Sequence, residues 1–380
     1  MTKPVIVSSD SHVVEPPDLW TKGIEKAYRD RAPRVDYNDE GDWWVCDGLW
    51  LMSMTGGTDA GFRFESLEKM RREAKFSEVV KGGYIASEKL KDMDADGIYG
   101  EVVYPTTGLV MWRLEDSLLF DAVCRAYNTW IADFCKEDPK RIKAVAMINT
   151  DDVAAGVAEL QRAAKLGLAG AMISVNPGDR DQYSQPKYEP LWAAAQDAQL
   201  PLTLHIGTHR ARQGANSPIR IRERARNMMS SPPFTSTAAH WFQVSVAHMI
   251  FSGVFDRFPK LQVVSLEHRA SWAPHFLTAM DYEYTQRPPS PDWPRFRSAS
   301  LPSDFFRTNI ALSFQEDVLA VQQRHLIGMD CLTWGDDYPH PEGTFPRSRE
   351  RLALMFAGVP EADKAKILGA NAARIYRFAL

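Results

Sequence analysis

Short apolar runs recur along this chain, and several end on a residue able to bind a metal or move a proton. Val5-Ile6-Val7-Ser8-Ser9-Asp10-Ser11-His12 closes on Asp10 and His12, and Leu202-Thr203-Leu204-His205 closes on His205. Val263-Val264-Ser265-Leu266-Glu267-His268 closes on His268, and Cys331-Leu332-Thr333-Trp334-Gly335-Asp336-Asp337 closes on Asp337. Runs of this length read as buried strands. The pattern predicts strands near 4–12, 99–105, 142–149, 169–176, 200–207, 261–268, 305–314 and 330–337. Between most of them the period changes to that of a helix, as in Asp152 to Leu166 and Tyr188 to Ala198. In the first of these, Val153, Val157, Leu160 and Ala164 fall on one face. Asp151 or Asp152 is placed to cap its start and Gly167 to stop it, while Gly156 weakens it slightly.

Strand followed by helix, repeated about eight times, predicts a parallel sheet. In a chain of 380 residues this favours a closed (β/α)₈ TIM barrel, one domain over 1–380, rather than an open doubly wound sheet. No GxGxxG follows the first strand, which argues against a dinucleotide site. In a barrel the five strand-end residues meet at the mouth where such enzymes place their active sites. Two regions break the repeat. Residues 13–98 form an insert after strand one, with a hairpin expected in Gly41 to Trp50 and its turn at Asp47-Gly48. Residues 208–240 carry Arg210, Arg212, Arg220, Arg222, Arg224 and Arg226, with a helix expected at about 219–229.

Composition narrows the function. A net charge of −4 gives no nucleic-acid footprint. No apolar run is long enough to cross a bilayer. The four cysteines lack CxxC spacing and read as reduced thiols. Met1-Thr2-Lys3-Pro4 leads directly into the first strand without a signal-peptide pattern, so the expected location is cytoplasmic. Eleven tryptophans imply a large apolar pocket, an oligomer interface or simply a Trp-rich core.

Asp10 and His12 are two residues apart, so both face the same side of a strand. With His205 and Asp337 they offer two imidazoles and two carboxylates, a set suited to Zn²⁺, Mn²⁺ or Fe²⁺. His268 is a further ligand or an acid–base group. Among other residues near these strands, Arg210 and Arg269 are candidates to hold a substrate carboxylate. Glu15 is placed to orient a ligand or cap a turn, and Glu267 also sits beside the metal strands. Trp20, Trp43, Trp44, Trp112 and Trp272 are candidates for an aromatic pocket or for core. His340, between Pro339 and Pro341, either assists the last strand's site or stiffens a loop.

Several motifs carry a resemblance. They are Asp10-Ser11-His12-Val13-Val14-Glu15-Pro16, Met93-Asp94-Ala95-Asp96-Gly97-Ile98 and Ala126-Tyr127-Asn128 with Trp130. Leu191-Trp192, Phe251 to Pro259 and Trp334-Gly335-Asp336-Asp337-Tyr338-Pro339-His340 complete the set. With them the chain resembles the amidohydrolase superfamily, in the branch holding aminocarboxymuconate-semialdehyde and γ-resorcylate decarboxylases. The resemblance implies that Asp10, His12, His205 and Asp337 bind the metal and that His268 is the acid–base residue. Either Asp336 or Asp337 fits the last ligand position, and alignment with the family favours Asp337. The first motif is Asp-x-His where many relatives have His-x-His or Glu-x-His. Strand four, Ala169 to Asn176, has no Lys, which argues for one metal ion, Zn²⁺ or Mn²⁺, rather than two. The implied activity is non-oxidative decarboxylation of an aromatic or unsaturated carboxylic acid, with Asp337 or His268 protonating carbon. Hydrolysis of an ester, lactone or amide by metal-bound water is the alternative. A non-catalytic barrel would predict broken ligands. The resemblance also implies a homodimer or higher oligomer.

Overall fold

The computed structural model describes residues 4–70, 73–178, 181–210 and 231–380. Eight strands form one parallel sheet in chain order. They are β1 (Val7–Val13), β5 (Gly100–Pro105), β6 (Ile142–Met147), β7 (Gly170–Ile173), β8 (Leu202–His205), β9 (Val263–Leu266), β10 (Ile310–Phe314) and β11 (Leu332–Trp334). Nearly every residue in them is buried, as expected for strands covered by helices on one face and by a barrel interior on the other. The seventh predicted strand starts later than expected: residues 305–309 belong to a helix, Pro302–Asn309, that runs directly into β10. Pro302 and the N3 residue Asp304, whose side chain accepts from the Leu301 N–H, start a helix there.

The sheet curls until β11 lies against β1, a nearly closed barrel. This seam is held by side chains and strand ends. Ser9 Oγ donates to Thr333 Oγ1 at 2.9 Å and to the Trp334 carbonyl at 3.0 Å. The Asp337 N–H reaches the Asp10 carbonyl at 2.9 Å, and the His12 N–H reaches the Tyr338 carbonyl at 2.6 Å. Gly335 makes the approach possible, because a Cβ there would stand 2.4 Å from Asp10 Cβ and 3.0 Å from the Asp10 carbonyl oxygen.

The predicted helix forms as Val153–Lys165. The Asp152 carboxylate accepts from the Ala154 and Ala155 N–H groups, and Gly167 beyond the end has φ +85°. Gly156 has a reason to be there: a Cβ would meet the Asn149 carbonyl at 2.6 Å. The insert after β1 holds a second, antiparallel sheet of β2 (Arg34–Asp36), β3 (Trp43–Cys46) and β4 (Leu49–Ser53). Its turn is the expected one, with Asp47 and Gly48 at φ 49° and 76°. The helix expected at 219–229 and Arg212 to Arg226 lie outside the described residues. No helix among the described residues is long and apolar enough to cross a membrane.

Gly335→Ala should therefore strain the seam. Overpacking of this kind costs about 1–3 kcal/mol, so the urea midpoint should fall and metal affinity should fall with it, because Asp10 is the residue displaced. An unchanged midpoint in a chemical denaturation series would contradict the seam as described.

Candidate metal centre

β1 turns its polar residues in opposite directions. Ser11 points outward, where its hydroxyl meets Glu101 Oε2 at 2.6 Å and Lys89 Nζ at 3.0 Å. Lys89 and Glu101 form a buried ion pair at 2.8 Å, and Lys89 also donates to the His12 carbonyl at 3.1 Å. With Ser11 fixed outside, Asp10 and His12 face the axis. A register shift between Ser8 and Ser11, a bulge, lies across this stretch.

Around His12 the mouth gathers six side chains. His12 Nε2 lies 3.6 Å from Asp10 Oδ1, 3.3 Å from Glu267 Oε1 and 3.4 Å from Asp337 Oδ1. His205 Nε2 lies 3.7 Å from Asp10 Oδ1 and 3.3 Å from Glu267 Oε1. His340 stacks on His12 at 4.0 Å, with its Nδ1 2.9 Å from Asp337 Oδ1 and its Nε2 3.0 Å from Thr106 Oγ1. Asp10, His12, His205 and Glu267 form one group of converging ligand atoms, and His12, Glu267, Asp337 and His340 a second. Asp10 Oδ2 also accepts from Gln315 Nε2 at 3.3 Å.

The donor set fits one divalent cation. His12 Nδ1 meets the Pro105 carbonyl at 2.9 Å and His205 Nδ1 meets the Ile206 carbonyl at 3.0 Å. A carbonyl only accepts, so both Nδ1 atoms carry the proton and both Nε2 lone pairs face the cluster when the rings are neutral. Asp10 Oδ1, His12 Nε2, His205 Nε2, Glu267 Oε1 and Asp337 Oδ2 are all buried with no hydrogen-bond partner among the described residues. Buried polar atoms are seldom left unpaired, and lone pairs aimed at one another need a positive charge between them. Two imidazoles with carboxylates suit Zn²⁺ or Mn²⁺.

The acid–base properties follow from the same crowding. Burial pulls the His205 pKa down, but the carboxylates of Glu267 and Asp10, 3.3 and 3.7 Å from Nε2, overcome it and raise the value to about 10. His12 is likewise raised: burial opposes, and Asp10 and Glu267 prevail. Glu267 is driven well below the ordinary carboxylate range, burial being outweighed by His205 and His12. Asp337 goes the other way, well above its usual range, because burial and the Glu267 charge both favour its protonated form.

Glu267, expected beside the metal strands but not as a ligand, joins the converging atoms, and His268, expected as an acid–base group or a further ligand, does not. The strand ends at Leu266, and Glu267 sits in the left-handed region at φ 61°, which aims its carboxylate at both imidazoles. Its signal in the sequence was its spacing of two from Ser265, overshadowed by the adjacent imidazole. His268 stands outside both four-residue groups, with Nδ1 3.0 Å from Ser265 Oγ and its ring stacked on Phe242 at 5.5 Å. Burial and His205 depress its pKa to about 3, so the ring is neutral. Asp337, also left-handed at φ 57°, turns into the second group, whereas Asp336 accepts from Ser8 Oγ at 2.7 Å.

The expected substrate contacts fare unevenly. His340 belongs to the cluster. Arg210 is tied to Asp151, at 2.6 Å, and to the carbonyls of Trp112 and Leu114. Arg269 is exposed. Both Glu15 oxygens are used by the Thr107 and Gly108 N–H groups at 2.8 Å, so it caps a turn. Trp272 packs among Phe242, Phe276 and Phe306 and donates to the His268 carbonyl at 2.9 Å.

Barrel and site together define a class: a parallel α/β barrel whose strand ends hold His and carboxylate ligands for a divalent metal. Residues 113–378 match the amidohydrolase family, and the chain belongs to that family. It is 26% identical over 308 residues to a γ-resorcylate decarboxylase of Rhodococcus jostii, covering 77% of this chain and 88% of that protein. In fold it is similar to the amidohydrolase map2389c from Mycobacterium avium subsp. paratuberculosis (TM-score 0.74, 21% identity, 99% of this chain and 100% of the other). It is also similar to a 5-carboxyvanillate decarboxylase from Novosphingobium aromaticivorans solved with manganese and 4-hydroxy-3-methoxy-5-nitrobenzoic acid (TM-score 0.66, 16% identity, 98% and 96% covered).

Two outcomes are expected. Partners behind metal ligands are worth about 10–100-fold in affinity, so Glu267→Gln, which alters a direct ligand candidate, should weaken Mn²⁺ binding by about 100-fold or more in a competition titration. Binding should also release protons. A His205 pKa near 10 means the metal-free ring carries a proton at pH 7 that the metal must displace. Affinity should therefore rise with pH up to about 10, and calorimetry in buffers of different ionisation enthalpy should report the release; none at pH 7 would contradict the assignment.

Proposed function

We propose that this chain is a metal-dependent, non-oxidative decarboxylase of an aromatic carboxylic acid. The observation that carries the reading is the convergence of Asp10, His12, His205 and Glu267, with unpaired buried atoms, beside Asp337, whose pKa burial and the Glu267 charge push well above the ordinary carboxylate range. Similarity to γ-resorcylate and 5-carboxyvanillate decarboxylases supports the choice of reaction.

In this reading Asp10, His12, His205 and Glu267 hold one Mn²⁺ or Zn²⁺. Bound there, the metal supplies a positive charge that orients the substrate's oxygens and offsets the negative charge developing on them. The chain's own residues do the proton work. With the His340 proton on Nδ1 and the Thr106 hydroxyl donating to Nε2, His340 donates to Asp337 Oδ1, 2.9 Å away, and Oδ2 is left to carry the proton. Oδ2 protonates the ring carbon bearing the carboxylate. The bond to that carboxylate then breaks, its electron pair returns to the ring, and carbon dioxide leaves. A neutral His268 suits a hydrogen bond to the substrate better than proton donation, since its pKa of about 3 leaves it unprotonated at working pH. Thr106 fixes the other nitrogen of His340 and so keeps the ring turned toward Asp337.

The carboxylate substrate and the metal are the partners this reading requires. The four cysteines are free, Cys46, Cys124 and Cys331 buried, which supports placing the enzyme in the reducing cytoplasm.

General acids contribute about 10²–10⁴ in rate. Asp337→Asn should lower carbon dioxide release from 2,6-dihydroxybenzoate by that factor while leaving most of the bound Mn²⁺ in place. Ester or lactone hydrolysis by the wild type without any carbon dioxide release would replace the decarboxylase with a hydrolase.

A further inference from the structure

One guanidinium, on the turn that follows β5, has a buried nitrogen with no partner among the described residues. Arg113 ends the 3₁₀ turn Thr107–Arg113 that follows β5. Its Nη1 is buried and has no hydrogen-bond partner among the described residues. Burial lowers its pKa to about 10 and no described carboxylate offsets that, so the side chain is charged at neutral pH. A buried charge left unpaired is costly, and the arrangement makes sense if an anion arrives from outside.

The surroundings hold Arg113 in place. Arg210 Nη1 donates to the carbonyls on both sides of it, Trp112 and Leu114, while the rest of the Arg210 fork is locked on Asp151. Next to Arg210, His209 is fixed by a backbone bridge to Asn176 and by edge contact with Trp241 at 5.0 Å. His209 Nε2 is a second buried atom without a partner among the described residues. Burial and the charge of Arg113 bring the His209 pKa down to about 4. Trp241, which His209 touches, is followed on the helix Ala239–Phe251 by Phe242, which stacks on His268 at 5.5 Å. His209 and His268 thus lie against consecutive residues of one helix, and His268 directly follows the ligand candidate Glu267.

We propose that Arg113, with His209 beside it, forms an anion subsite that holds a second carboxylate or phenolate oxygen on the substrate's ring, remote from the carboxylate that is lost. This rests on the aromatic-acid reading above. The reacting carboxylate gives up its charge as carbon dioxide forms, so a fixed cation on it would stabilise the ground state and slow the step. A cation on a remote anion holds ground and transition states alike and spends its binding on orientation.

The test uses Mn²⁺-loaded wild type, Arg113→Met and Arg113→Lys with two probes, 4-hydroxyisophthalate and salicylate, the second lacking one carboxylate. Desolvated guanidinium–carboxylate pairs carry large coupling, so calorimetry should show wild type preferring the diacid by about 30-fold. Arg113→Met should cut that preference below about threefold with salicylate binding little changed, and Arg113→Lys should keep part of it. Free of ligand, Arg113→Met should melt at the same or a higher temperature, because an unpaired buried charge is gone; a merely structural arginine predicts a lower one. Equal weakening of both probes, no preference in wild type, or no binding of either overturns the subsite. Carbon dioxide measured in parallel separates the two readings. Preference without release from either probe removes the decarboxylase and leaves the subsite; release without preference does the reverse.

Discussion

Everything at the mouth of this barrel depends on like charges being buried together. Asp10, Glu267 and Asp337 bring carboxylate oxygens within 3.7 Å of the two imidazole nitrogens His12 Nε2 and His205 Nε2. In a site shielded from water such crowding persists only with protons or a cation between the groups. In the metal-free chain the pKa values of His205, His12 and Asp337 are all pushed up, so that each holds a proton more tightly than a free side chain. A divalent ion answers the same demand with one centre, and the Nδ1 contacts to Pro105 and Ile206 hold both rings ready for it.

The fold meets that demand at its seam. β1 and β11 come together through Ser9, Asp10 and Gly335, so closing the barrel and placing Asp10 and Asp337 are one event. Outside the barrel the Lys89–Glu101 pair pins Ser11 and the His12 carbonyl, and so commits the neighbouring side chains to the interior. Left-handed turns at Glu267 and Asp337 aim the remaining carboxylates. Non-glycine residues in that region cost on the order of 1–3 kcal/mol each and are concentrated at functional sites.

Arginines illustrate how position in sequence misleads about role. Arg210 follows the His205 strand and looked suited to a substrate, yet its fork is consumed by Asp151 and by the turn around Arg113. It acts by holding the turn that presents another arginine. Arg113 had no motif around it; what distinguishes it is burial without a partner, a property of the packed chain.

By itself the sequence determined the alternation of strand and helix, the (β/α)₈ order, the hairpin at Asp47-Gly48, and Asp10, His12, His205 and Asp337 as mouth residues. These follow from local periodicity, turn chemistry and the rule that strand ends share one face of a barrel. Only the tertiary structure decided that Glu267 rather than His268 faces the imidazoles, that His340 stacks on His12, that Glu15 caps a turn and that Trp272 packs among three phenylalanines. Each of those depends on a backbone reversal or on a partner far along the chain. Periodicity says which residues reach the end of a strand; the φ angle of the next residue and the packing around it decide which way each one points.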